Sequence, residues 1–240
     1  MEKWSYQPAQ DHGLAPVERA RSVRREAGLI STITHAAWWT GVRSYLTLWH
    51  RLRIVGRENL PVEPPFVLVA NHASHLDALV LAAPMSTRLR DVVFPIAAAD
   101  VFFENGPVSL FASMMLNALP MHRANRGRHA LADLRSRLVE EPCAYILFPE
   151  GARSRTGEML KVKAGIGMMV AGLDVPVVPC WLDGCFEAMR PGCVVPRPRV
   201  ITVHVGKAER FVDQPNTREG WDAVAERLEG RIKALRPVRG

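Results

Sequence analysis

Short apolar runs, each the length of a buried strand, alternate along this chain with longer stretches of helical periodicity, and this alternation limits the folds it can adopt. The strand-like runs lie at 66–70, 91–97, 144–148, 175–180 and 199–205, and helices are predicted at 78–85, 108–119, 128–139 and 164–173. Such alternation is typical of α/β proteins. We therefore predict one layered α/β domain with a mostly parallel central sheet flanked by helices. An amphipathic helix over 221–235 closes it.

The N-terminal region differs from this pattern. Residues 1–20 are polar and interrupted by proline and glycine, which predicts a tail. Residues 28–49 carry a single fixed charge, Arg43, and are about as long as a membrane-spanning helix. Their Ser and Thr content favours instead an amphipathic helix lying in the membrane interface, as do aromatic residues that prefer the headgroup level. Those aromatic residues are Trp38, Trp39, Tyr45 and Trp49. A spanning helix and an ordinary helix packed on the domain are the alternatives.

These observations divide the chain into a tail with an interfacial helix at 1–50 and the α/β domain at 51–240. The polar first 25 residues do not resemble a cleavable signal peptide. The four cysteines form no C-x-x-C pair, which is typical of free thiols in a reducing compartment. We therefore expect a peripheral or monotopic protein on the cytoplasmic face of a membrane.

The charge of the chain indicates which partners it favours. Its formal net charge is +7 and its pI is about 9.7. This favours anionic partners, such as an anionic membrane surface or a phosphorylated substrate. The chain has few aromatic residues and no zinc-finger spacing or basic heptad helix, so nucleic acid is the least supported partner. We expect no metal site.

A polar turn follows the apolar run at 66–70 and brings an imidazole and a carboxylate within five positions, as His72 and Asp77. Ser74 and Asp77 precede an apolar stretch in a variant of the helix-starting capping pattern. Residues five apart on a straight helix would be about 140° apart, so only a loop-to-helix junction can bring this pair together. From residue types alone, the alternative is a capped surface loop.

A second polar turn follows the run at 144–148 and contains Glu150, Gly151 and Arg153, with further basic residues after it. Arginine suits bidentate phosphate contact, although a solvated loop is an equally good account of this turn alone. A third, basic turn at 119–128 contains Arg123, and on its own a solvated helix start explains it better. The run at 175–179 has proline near each end and indicates a buried strand.

Taken in order, these segments resemble the four sequence blocks of the glycerolipid acyltransferase family, which includes the 1-acylglycerol-3-phosphate and glycerol-3-phosphate O-acyltransferases. The blocks are Asn-His-x-Ser-x-x-Asp at 71–77, the basic turn at 120–123, Phe-Pro-Glu-Gly-x-Arg-Ser at 148–154 and Val-Pro-Val-Val-Pro at 175–179. The resemblance spans roughly residues 50–210. The usual pattern is not followed at Ala152, Val162 and the Met121-His122 pair. These differences leave the chemistry intact but make the resemblance less informative about which acceptor is used.

The resemblance implies an enzyme that moves a fatty acyl group from acyl-CoA or acyl-carrier protein, used as a co-substrate, to a lysophospholipid hydroxyl. The acceptor expected first is 1-acylglycerol-3-phosphate, which would give phosphatidic acid. Such a transfer needs a positioned base, and histidine has a suitable pKa. His72 is then the base and Asp77 the residue that orients it. His75, at a variable position of the first block, is expected to be a bystander.

The resemblance also assigns the acceptor's phosphoglycerol end to Glu150, Gly151, Arg153 and Arg123, although the carboxylate of Glu150 suits ordering of the loop or contact with a hydroxyl. No metal or prosthetic group is required. Two alternatives remain open at this point. One is an O-acyltransferase for a non-phosphate lysolipid, such as an aminolipid or glycolipid. The other is a non-catalytic lipid- or membrane-binding protein, which would have no need for a base and its orienting residue.

Overall fold

The computed structural model describes residues 13–15, 18, 32–98, 117–121, 127–193 and 195–238. Most of the predicted tail and most of the helix predicted at 108–119 lie outside these ranges. Leu119, at the end of that predicted helix, begins a short strand instead.

The described residues form seven strands and seven α-helices. The strands are β1 (Arg53–Val55), β2 (Phe66–Ala70), β3 (Val93–Ala98), β4 (Leu119–Met121), β5 (Ala144–Leu147), β6 (Val177–Asp183) and β7 (Thr202–Val205). The helices are α1 (Thr32–Trp49), α2 (Asp77–Ala82), α3 (Thr87–Asp91), α4 (Gly127–Glu140), α5 (Gly165–Val170), α6 (Cys185–Ala188) and α7 (Arg218–Ala234). A 3-10 turn, Arg57–Asn59, follows β1.

The strands build one sheet in the order β1-β7-β6-β2-β5-β3-β4. Every neighbouring pair is parallel except β6 and β7, which are antiparallel. The predicted mostly parallel sheet flanked by helices is therefore confirmed. β2 lies in the middle of the sheet with β5 and β6 on either side, so the carboxyl ends of these three strands share one edge. In open α/β sheets this edge is where ligands bind.

Two hydrophobic cores cover the two faces of the sheet. Successive side chains of a strand point to opposite faces, and β2 divides its residues accordingly. Phe66, Leu68 and Ala70 contribute to one core, whereas Val67 and Val69 contribute to the other. All five residues are fully buried, which explains why this strand is a continuous apolar run rather than an alternating one.

Helix α1 packs on the first of these cores through Trp39, Val42 and Leu46, which are spaced to lie on one side of a helix. Leu48 and Trp49 lie on its exposed side. No helix within the described ranges combines the length and the apolar character needed to cross a membrane. The alternative of a helix packed on the domain accounts for the buried side of α1. An interfacial position of its exposed side stays a prediction.

The closing helix α7 packs on the second core. Its buried residues Val224, Leu228 and Ile232 follow the predicted apolar stripe. It lies close to α5, where a Cβ on Gly167 would come within 2.3 Å of the Trp221 Cα. This close approach places α7 directly against α5.

Candidate active site

The two polar turns predicted from the sequence meet at the carboxyl edge of the sheet. One follows β2 and the other follows β5, and these strands are parallel neighbours with Val69 opposite Leu147. Because both strands end at the same level, the residues after them are brought side by side. The site is built on this junction.

His72 and Asp77 form the centre of the site. The Nδ1 atom of His72 lies 2.8 Å from Oδ2 of Asp77, and the carboxylate, which can only accept, takes the hydrogen bond. The Asp77 residue is 0% exposed. The backbone amides of Ala73 and Ser74 donate to the same oxygen at 2.7 and 2.8 Å. These three donors hold the carboxylate in place.

The start of helix α2 folds the imidazole back onto this carboxylate. Asp77 is the first residue of α2, and its side chain accepts from the Ser74 amide, as the acidic residue of a capping box does. The Ser74 hydroxyl in turn accepts from the Leu76 amide at 3.2 Å and donates to the Met189 carbonyl at 2.8 Å. The loop from Asn71 to Asp77 is therefore fixed by its own backbone and by the segment after β6.

The imidazole plane of His72 is set by Phe148, the residue after β5. The two rings stack with centroids 4.1 Å apart and planes 14° from parallel. The His72 side chain remains 22% exposed. With Nδ1 donating to Asp77, the neutral imidazole carries its lone pair on Nε2. That nitrogen can accept a proton from a substrate hydroxyl.

Glu150 connects the two turns and is 2% exposed. Its Oε1 accepts from the His72 amide at 2.6 Å, and its Oε2 accepts from the Leu160 amide at 2.7 Å. Burial raises the pKa of this carboxyl to about 7, although the two backbone donors act in the opposite direction. Both oxygens are thus engaged with the backbone, so the contacts of Glu150 are those of a loop-ordering residue.

The rest of the second turn contains small and basic residues, one of which contacts His72. The Ser154 amide donates to the His72 carbonyl at 2.8 Å. Gly151 has φ of 72°, a conformation that favours glycine, and a Cβ there would come within 2.7 Å of the Lys163 Nζ. Arg153 is half-buried in this turn, whereas Arg155 is exposed.

His75 lies on the exposed side of the first turn. Partial desolvation, and then the positive charge of Arg153, lower the pKa of its imidazole, and the His72 ring contributes in the same direction. Arg153 is thus electrostatically close to His75. Arg123, the remaining basic residue predicted for the site, lies outside the described residues. No cluster of three or more His, Cys, Asp or Glu side chains that could hold a metal ion occurs in the described parts of the chain.

Several residues that shape the site were not assigned roles from the sequence. The Asn71 side chain accepts from the Leu182 amide at 2.7 Å and donates to the Leu182 carbonyl at 3.1 Å, which ties the end of β2 to β6. Phe148 stacks on the imidazole. Cys185, buried at the start of α6, has a pKa raised well above normal by burial and then by the charge of Asp77. Asn71 and Phe148 belong to the first and third sequence blocks. The family resemblance therefore marked these two positions, although residue chemistry alone did not predict their contacts.

Comparisons with known proteins show which family this chain is similar to. Residues 51–183, more than half of the chain, match the protein-family model described as Acyltransferase. The chain is 31% identical over 159 residues to the 1-acyl-sn-glycerol-3-phosphate acyltransferase BAT2, chloroplastic, of Brassica napus, a match that covers 65% of this chain and 44% of that protein. It is 28% identical over 161 residues to the human 1-acyl-sn-glycerol-3-phosphate acyltransferase beta, covering 65% of this chain and 55% of that protein.

The chain spans about half the length of the curated relatives it matches. Among solved structures, it is similar in fold to the 1-acyl-sn-glycerophosphate (LPA) acyltransferase PlsC from Thermotoga maritima. The TM-score is 0.58 at 20% sequence identity, over 86% of this chain and 84% of that chain. At this identity the likeness concerns the fold, including the sheet on which the two turns are mounted.

Proposed function

This chain belongs to the Acyltransferase family, and from that premise we propose that it transfers a fatty acyl group from an acyl thioester to the free hydroxyl of 1-acylglycerol-3-phosphate, giving phosphatidic acid. The observation that carries the proposal is the His72 imidazole held at 2.8 Å by the buried Asp77 and stacked on Phe148. A binding module has no use for such a pair. A base that must remove a proton from an alcohol requires it.

In the proposed mechanism, His72 Nε2 takes the proton of the acceptor hydroxyl as that oxygen attacks the thioester carbonyl carbon. The resulting tetrahedral intermediate collapses and breaks the carbon–sulfur bond. The departing thiolate takes the proton from His72, so the enzyme returns to its starting state. Asp77 holds the imidazole in the tautomer with hydrogen on Nδ1 and stabilises the imidazolium that forms between the two steps.

We propose direct transfer to the acceptor, without an acyl-enzyme intermediate. Cys143 precedes β5 and therefore lies at the opposite edge of the sheet from His72. Cys185 lies near Asp77, but it is buried and its raised pKa keeps it in the unreactive thiol form. Neither thiol is suited to attack the acyl donor.

The phosphate of the acceptor is proposed to bind beside the second turn. Arg153 is close enough to act on His75 electrostatically, and the Lys163 side chain passes over Gly151. A phosphate there would lie next to the base, as the short glycerol backbone requires. Arg123 is proposed as a further phosphate contact, and Glu150 as the residue that orders the loop.

The enzyme is proposed to work at a membrane surface, because its acceptor and product are lipids. Tyr45, Leu48 and Trp49 are exposed on α1 and would rest at the headgroup level, on the cytoplasmic face. In this arrangement residues 1–50 provide attachment and residues 51–240 form the acyltransferase domain. The acyl donor is acyl-CoA or an acyl-carrier protein.

The proposal is tested by incubating the purified protein with labelled acyl-CoA and a panel of lysolipids in mixed micelles, half of them carrying a terminal phosphate monoester. Labelled phosphatidic acid is the expected product. If labelled product forms only from the lysolipids that lack this phosphate, the acceptor is an aminolipid or glycolipid instead. No labelled lipid from either acyl-CoA or an acyl-carrier protein would overturn the enzymatic function.

A further inference from the structure

Residues 158–163, which we call the strap, run from the second polar turn to helix α5. The strap has no regular secondary structure. Its Leu160, Lys161 and Lys163 side chains are exposed, whereas Val162 is 4% exposed and belongs to the second core. The contacts that hold the strap in place therefore determine the positions of these exposed side chains.

On its inner side the strap is bound to the candidate active site. The Leu160 amide donates to Oε2 of Glu150 at 2.7 Å, and the other oxygen of the same carboxylate accepts from the His72 amide. The Lys163 amide donates to the Pro149 carbonyl at 3.0 Å. One carboxylate thus lies between the strap and the backbone of His72.

On its outer side the strap is bound to helix α7. The Val162 amide donates to Oε2 of Glu229 at 2.9 Å, and Lys233, one turn further along the helix, donates to Oε1 at 2.6 Å. Lys233, and then the Val162 amide, lower the pKa of Glu229. The acceptor is therefore a carboxylate, and bonds from backbone amides to charged acceptors are among the stronger ones.

The attachments at Leu160 and Val162 are only two residues apart. Two residues of extended chain span at most about 7 Å, so there is little slack to absorb a shift at one of the two amides. A displacement of Val162 would therefore move Leu160 relative to Glu150, and Glu150 holds the loop of His72. The connection from α7 to the loop of His72 therefore runs through the carboxylates of Glu229 and Glu150 and the strap amides of Val162 and Leu160.

We infer that Glu229 is a positioning residue of the acyltransferase site, acting through the strap and Glu150 on the loop that carries His72. This inference rests on the proposed function. It assigns a role in catalysis to a residue of α7, which lies outside residues 51–183. The contact between Arg236 and Glu158 also joins the C-terminal region to the strap, but both side chains are largely exposed, and exposed ion pairs contribute little.

Three variants of the full chain test this role. Glu229→Ala removes the acceptor of the Val162 amide. Lys233→Met removes the ion pair but leaves both Glu229 oxygens in place, so Oε2 can still accept from the Val162 amide. Asp222→Ala is the matched control, because Asp222 also pairs with a basic residue one turn away on α7, Arg218, through an exposed contact.

The first measurement is kcat/KM for acyl transfer to 1-acylglycerol-3-phosphate. We expect Glu229→Ala to lower it by about tenfold, the loss that follows from one hydrogen bond to a charged group. Lys233→Met should keep activity within about threefold of the wild type, because the Glu229 carboxylate still accepts from the Val162 amide. Asp222→Ala should leave the value within about twofold. If Lys233→Met is as impaired as Glu229→Ala, the ion pair matters rather than the strap, and the inference is wrong.

The second measurement is amide hydrogen exchange in peptides that contain His72 and Leu160, which needs no substrate. Exchange at both amides should become about tenfold faster in Glu229→Ala and stay unchanged in Asp222→Ala. Unchanged exchange in Glu229→Ala overturns the inference even if the wild type is active. A wild type that transfers no acyl group instead defeats the proposed function, and the exchange result then decides separately whether the strap links α7 to His72.

Discussion

The backbone amide of His72 donates to Oε1 of Glu150 at 2.6 Å, across 78 positions of sequence. The return contact is made by the Ser154 amide, which donates to the His72 carbonyl at 2.8 Å. The backbone N–H and C=O of the residue proposed as the base are therefore both bound by the turn that follows the neighbouring strand. Its position depends on the register between β2 and β5 as much as on its own loop.

Replacement of His72 by Ala should abolish turnover, because general base catalysis contributes roughly 10²–10⁴-fold in rate. Asp77→Asn should lower kcat by a similar factor while the fold is preserved. An Asn side-chain oxygen can still accept from the Ala73 and Ser74 amides, but it supplies no charge to stabilise the imidazolium. The measurements are steady-state kinetics and thermal unfolding of the purified variants. Near-native turnover by His72→Ala would contradict the mechanism.

Glu150 should make the stability of the protein depend on pH. Its pKa is raised from 4.5 to about 7 in the folded state, so between these values the folded protein keeps a proton that the unfolded chain has lost. The contribution of this carboxyl is complete below about pH 4.5 and is lost as the pH rises through 7. The stability of the wild type relative to Glu150→Gln should therefore fall across this window, by at most about 3 kcal/mol.

Urea unfolding at several pH values between 4.5 and 8 measures this difference. Glu158→Gln is a suitable control, because Glu158 is exposed and pairs with Arg236 at the surface. Its effect on stability should vary little over the same window. A difference between the wild type and Glu150→Gln that grows with pH would show that the carboxyl is ionised on folding.

Arg153→Ala should weaken the use of phosphorylated acceptors. We expect the KM for 1-acylglycerol-3-phosphate to rise by about tenfold or more, since a hydrogen-bonded contact to a charged group is worth on the order of 1.5–3 kcal/mol. The KM for an acceptor without phosphate should change little. Arg155→Ala, which removes an exposed cation two residues away, is the matched control. An unchanged KM for the phosphorylated acceptor would remove Arg153 from the phosphate site.

Gly167→Ala should destabilise the protein by about 1–3 kcal/mol, because the added Cβ would lie 2.3 Å from the Trp221 Cα and force α5 and α7 apart. Gly165→Ala in the same helix is the comparison. Its Cβ would have only the Leu131 Cδ1 nearby, at 3.4 Å, and the change should be close to neutral or stabilising. Urea midpoints of the two variants give the contrast, and equal midpoints would mean that α5 and α7 can separate at little cost.

The strands and the two polar turns were predictable because their signals are local. An apolar run of strand length that ends in polar residues places those residues at a sheet edge, and β2 and β5 appear where this pattern predicts them. The observed strand boundaries differ from the predicted ones where an adjacent helix includes part of the apolar run. The run predicted at 91–97 begins as β3 only at Val93, because the Ser86 side chain accepts from the Leu89 amide at 3.3 Å and starts α3 just before it.

The contacts that complete the site were not predictable from residue types. The partner of Asn71 is the backbone of Leu182, 111 positions away. The two amides bound by Glu150 come from segments that meet only once the sheet has formed. The antiparallel pairing of β7 with β6 likewise depends on the path of the chain after α6, and the hydrophobic periodicity of the sequence does not predict that path. Each of these features is set by tertiary structure rather than by local sequence.

The order β6-β2-β5 in the middle of the sheet has a consequence for refolding. Each neighbour of β2 comes from a distant part of the chain, and non-local parallel pairing is intrinsically slow to form. The backbone N–H and C=O of His72 acquire their hydrogen-bond partners only after β5 has paired with β2. Recovery of the proposed activity after denaturation should therefore follow the pairing of β5 with β2, later than signals that follow helix formation alone.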